Sequence, residues 1–96
     1  MKILDLIINR GQHAGHDLSP KIKCADGTEL SVQASSFHYC TPRLDCGPYT
    51  EVEVGFPTSP PPASWEPYAD GPNPDVWGCV PVELVRQFID NHGGEA

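Results

Sequence analysis

The sequence predicts an α+β domain: a small antiparallel sheet of three to five strands, with short helices near both ends of the chain and a long Pro-rich loop. Three observations carry this. Tyr49 to Phe56 alternates apolar and polar side chains almost without fault, as a half-buried strand does. An Asp26-Gly27 pair separates two extended runs, a hairpin signal. Apolar residues recur at helical spacing at each end of the chain. With 96 residues, a single domain spanning 1–96 is expected.

Taken in order, Ile3, Leu4, Ile7 and Ile8 share one helical stripe, and Gly11 suits a C-cap, so residues 2–10 read as a helix. Residues 11–19 form a polar connector. Lys21 to Cys24 and Glu29 to Ser35 then flank the hairpin turn, with Leu30, Val32 and Ala34 facing a core and Ser31, Gln33 and Ser35 facing away. A further extended run is expected from Phe37 to Cys40. In the 49–56 strand, Val52, Val54 and Phe56 point inward, leaving Tyr49, Glu51 and Glu53 outward.

Residues 57–74 hold seven prolines, which cannot donate to a sheet ladder, so this stretch reads as an irregular or polyproline-like loop. Its length hints at functional use. Trp65 and Tyr68 are placed to pin its middle to the domain. Asp75 to Val80 reads as one more short strand. Pro81 suits the first position of a closing helix whose stripe is Val82, Val85, Phe88 and Ile89, ended by Asn91-His92-Gly93-Gly94.

Charge is divided unevenly. The chain carries 13 acidic against 6 basic side chains, a formal charge of −7. Residues 1–43 sum to +1, whereas residues 44–96 set nine acids against Arg86 alone. Such a surplus repels nucleic acid phosphates and favours a basic protein partner. Glu51 and Glu53 would stand about 6.6–6.8 Å apart along a strand, a separation comparable to that of successive phosphates. Glu66, Asp70, Asp75, Glu83 and Asp90 extend the acidic set, and Tyr49 would serve as an exposed aromatic anchor among them. Ordinary solubility is the plainer explanation of the same charges.

Asp5 interrupts the N-terminal apolar run, and no apolar stretch nears the ~18–20 residues of a membrane span. An intracellular protein is expected, with Cys24, Cys40, Cys46 and Cys79 as thiols. His13 and His16, or a nucleus of His38, Cys40 and Cys46 completed by Cys24 or Cys79, raise a zinc alternative. Cysteine gaps of 15, 5 and 32 residues do not match the tight knuckles of structural zinc, so no metal or other cofactor is assigned. A Cys40 thiol with His38 or His92 as base is a third possibility, but no oxyanion turn or phosphate loop accompanies it, and no enzymatic activity is expected.

The run Phe37-His38-Tyr39-Cys40-Thr41-Pro42-Arg43, then Gly47-Pro48-Tyr49-Thr50-Glu51-Val52-Glu53-Val54-Gly55-Phe56-Pro57, resembles small orphan proteins of bacteriophages and prophages. The closing Val80-Pro81-Val82-Glu83 to His92-Gly93-Gly94 resembles the C-terminal helix of the same group. Several such proteins are anti-CRISPR inhibitors. The resemblance implies a phage-encoded inhibitor acting in the cytoplasm of an infected bacterium. It would bind a DNA-binding subunit of a type I CRISPR effector complex through its acidic face and block target DNA. The alternative is a zinc- or thiol-stabilised phage regulatory or structural module.

Overall fold

Asp26 and Gly27 close a hairpin between β1 (Ile22–Lys23) and β2 (Glu29–Gln33), paired Ile22 to Leu30 and Lys23 to Glu29. Gly27 takes the turn's left-handed position at φ +94°, and the Asp26 carboxylate accepts the Thr28 N–H at 2.9 Å. The computed structural model describes residues 2–9 and 19–96. Arg10, the Gly11 cap, most of the polar connector and the His13/His16 pair lie outside the described residues.

Alternation sets the rest of the sheet. β3 (Glu51–Gly55) pairs antiparallel with β2, Val32 opposite Val54 and Gln33 opposite Glu53. β4 (Val76–Pro81) completes an antiparallel sheet of four strands in sequence order. Between Val52↔Val80 and Val54↔Trp77 the register shifts, so Gly78 and Cys79 together oppose Glu53. Cys79 adopts φ +51°, and its N–H leaves the ladder to donate to the Tyr39 carbonyl at 2.9 Å.

Leu30, Val32, Ala34, Val52, Val54 and Val80 are fully buried, and helices from both chain ends close over them. α1 (Ile3–Ile8) contributes Leu4, Ile7 and Ile8; α2 (Val82–Asn91) contributes Val85, Phe88 and Ile89. An Arg86–Asp5 ion pair of 2.7 Å joins the two helices at the surface. Helix α2 starts directly off β4. Pro81 pairs with Glu51 as the last strand residue and precedes the helix rather than opening it, while the Val82 N–H donates to Thr50 O.

Several expectations change. Phe37 to Cys40 is not a strand: Ser35 Oγ holds the Phe37 N–H and the His38 ring, and Asp45 accepts from Ser36, so side chains satisfy this backbone as a turn. Gln33 and Ser35, expected to face outward, are buried. Phe56 lies beyond the end of β3 at φ +51° and is 60% exposed, because the chain turns away there into the proline segment. That segment is more ordered than a structureless loop. It contains a 3-10 helix, Ala63–Tyr68, anchored by Trp65 at 1% exposure against Trp77 and Phe88. Among the described residues no helix is long and apolar enough to cross a membrane.

Candidate interaction surface

The acidic side chains named from the sequence fall into three environments. Glu51 and Glu53 point away from the main core, as their strand phase requires, yet neither is a free anion. Glu51 Oε1 accepts the Thr41 hydroxyl at 2.6 Å, and Glu53 Oε2 accepts the Tyr39 N–H at 3.0 Å. Both are half-buried under the segment that joins β2 to β3. The two carboxylates thus hold that segment on the sheet. A phosphate-like ladder on β3 has no exposed counterpart here.

Tyr49 is not an exposed anchor. It precedes β3, outside the strand's alternation, and is buried to 2% exposure. Its N–H donates to Ile8 O at 2.8 Å and its hydroxyl to Leu44 O at 2.7 Å, tying the end of α1 to the chain before β3. Gly47 permits this approach, since a Cβ there would stand 2.2 Å from Ile8 O. The exposed aromatic residues are instead Phe37, Tyr39 and Phe56, with the Arg43 guanidinium 5.1 Å from the Tyr39 ring centre.

Glu83 and Asp90 share the solvent face of α2, seven residues apart, with Arg86 between them at helical spacing and already paired to Asp5. Glu66, Asp70 and Asp75 make the third environment. All three are exposed on the proline segment, and among the described residues none of the three side chains makes a hydrogen bond or ion pair. No Lys or Arg occurs between Arg43 and Arg86 to offset them.

Sequence reasoning expected the proline segment to be used but did not foresee its shape. Thr58 and Ser59 fasten its start to the Thr28–Glu29 corner of the hairpin. An isolated bridge pairs Ala69 with Trp77, and the Asp70 N–H donates to Val76 O at 3.0 Å, closing a short loop around Gly71 and Pro72. Between this loop and the 3-10 helix lies a groove of about 490 Å³, lined by prolines 61, 62, 72 and 74, with Glu66 and Trp77 in its walls.

A second polar cluster was also missed. His92 Nδ1 stands 2.6 Å from Asp26 Oδ2 and 3.1 Å from Thr28 Oγ1, and the Thr28 hydroxyl meets Ser59 Oγ at 2.7 Å. The Asp26 carboxyl is held down to about 2, first by the Thr28 N–H and then by the His92 ring. Carboxylate and hydroxyl converge on the same ring nitrogen, so this is a helix-end clamp and not the two-sided arrangement of a nucleophile–base–carboxylate relay.

Cys24 and Cys40 are not activated thiols. Burial pushes the Cys40 and Cys24 thiols up, the reverse of what activation requires, and Cys40 donates to Ser35 O at 3.2 Å. Among the described residues no three His, Cys, Asp or Glu side chains gather around a metal position, so the His38, Cys40 and Cys46 nucleus lacks a geometric basis. Comparison with protein-family models, curated proteins and solved structures finds no match.

Proposed function

We propose that the protein is a stoichiometric binding module whose acidic proline segment and α2 face engage a cationic protein surface. The observation that carries this is that Glu66, Asp70, Asp75, Glu83 and Asp90 are exposed and unpaired among the described residues, beside a chain half almost devoid of positive charge. A field of that sign raises encounter rates with a basic partner and repels nucleic acid. Glu51, Glu53 and Tyr49 are left out of the contact surface.

The partner proposed is a DNA-binding subunit of a type I CRISPR effector complex, with occlusion of target DNA as the outcome. That choice of partner rests on the resemblance to phage proteins; the charge distribution supports only the coarser reading of a basic protein. Each exposed ion pair contributes only about 0.2–1 kcal/mol, so a desolvated centre must supply the remaining affinity. Binding of the purified protein to such a complex, followed across a salt series, tests the proposal. Affinity should fall steadily as salt rises, because exposed charges are screened over about 8–10 Å. Salt-independent binding, or none, contradicts it.

A further inference from the structure

We propose that the groove between the 3-10 helix and the Gly71–Pro72 loop receives an arginine side chain of the partner protein. This deepens the acidic-surface reading and rests on it. It also supplies the desolvated centre that the buried Tyr49 does not.

Four features support an arginine. The groove, about 490 Å³, has room for a long side chain and the backbone that carries it. Its proline rings are rigid and free of N–H donors, so they offer apolar surface to a guanidinium and its methylenes without competing for its hydrogen bonds. Glu66 is one of the lining residues, and its carboxylate has no partner among the described residues. Asp70 and Asp75 flank the loop, with no cation in the segment to cancel the field.

The groove is also pre-formed. The Ala69–Trp77 bridge, the Asp70–Val76 hydrogen bond and the buried Trp65 fix its walls, so little ordering opposes binding. An uncharged apolar group would desolvate Glu66 without pairing it, and an anion would meet repulsion. A lysine ammonium is strongly hydrated and cannot fork onto a carboxylate, so it binds less well than arginine.

The test is a two-dimensional ¹H–¹⁵N NMR titration of the full chain with the tripeptide acetyl-Gly-Arg-Gly-amide and its citrulline counterpart. Saturable shifts are expected at Ala63, Glu66, Ala69, Gly71 and the Trp77 indole, with citrulline roughly tenfold weaker. Glu66→Gln, an exposed site, should weaken the arginine peptide by a similar factor. Equal binding of citrulline, or shifts as large around Glu83 and Asp90, overturns the assignment. So does the absence of saturable shifts. If the titration fails while the protein still binds a basic partner in a salt-dependent way, only the groove assignment falls. If salt-dependent binding is absent as well, the broader reading falls with it.

Discussion

The Glu95 carboxylate caps the N-terminus of α1: its two oxygens accept the N–H groups of Ile3 at 2.9 Å and Leu4 at 3.2 Å. The two ends of the chain thereby hold each other. Residues 92–96 run beside β1, with Gly94 O accepting from Ala25, the Ala96 N–H donating to Lys23 O, and an isolated bridge between Cys24 and Glu95. A helix of six residues is too short to persist unaided, and Lys2 provides no side-chain cap.

Glu95→Ala should therefore destabilise the protein by about 0.5–2 kcal/mol, and Glu95→Gln by less, since its amide oxygen retains one acceptor. Urea unfolding of the three proteins provides the measurement. Equal midpoints would show that the cap contributes nothing.

Asp26 gives the fold an acid-sensitive contact. Its folded value of about 2 lies below the ordinary 3.8. The carboxylate therefore binds its proton less readily in the folded state, and the stability it contributes is full above pH 3.8 and drains as pH falls towards 2. Removing the charge removes that slope. Between pH 4 and 2 the urea midpoint of the parent protein should fall more steeply than that of Asp26→Asn, the two curves running parallel at higher pH. Parallel curves throughout would remove Asp26 from the account.

Charge reversal of Glu51 and Glu53 should harm the fold rather than only a surface. Each carboxylate accepts a hydrogen bond from the covering segment at Thr41 or Tyr39. The double change to Lys leaves those donors facing a cation, with an expected loss of about 0.5–1.5 kcal/mol for each hydrogen bond removed. Thermal unfolding checks this. An unchanged melting temperature would return both residues to the list of free surface anions.

Much of this architecture was legible because it depends on periodicity. The 3-4 spacing of Ile3, Leu4, Ile7 and Ile8, the Asp26-Gly27 turn and the Val52/Val54 alternation each have one low-energy solution. What was not legible depended on contacts distant in sequence. Nothing near Tyr49 signals that Ile8 O and Leu44 O will bury it, because its neighbour-by-neighbour pattern continues that of β3. The same holds for Glu51 and Glu53: the strand period placed them outside the main core, but which segment would cover them depended on the fold of residues 35–48. The acids on the proline segment were named, whereas the groove among them arises from a bridge between Ala69 and Trp77 that local spacing does not encode.

Tyr49→Phe separates burial from the hydroxyl bond. It keeps the ring in the core and removes the donation to Leu44 O, so a loss of about 0.5–1.5 kcal/mol is expected, against about 3–5 kcal/mol for Tyr49→Ala. Neither should alter partner binding of the folded protein. A folded Tyr49→Phe variant that no longer binds its partner would restore Tyr49 as a contact residue.

The most direct test of the acidic surface is competition. Purified type I effector complex is equilibrated with labelled target DNA, and the protein is titrated in beside its Glu66→Gln/Asp70→Asn/Asp75→Asn variant. The account predicts that the parent protein displaces the DNA stoichiometrically and that the triple variant, still folded, needs at least about tenfold more. DNA binding that persists with the parent protein in excess, or equal displacement by the two proteins, would contradict it.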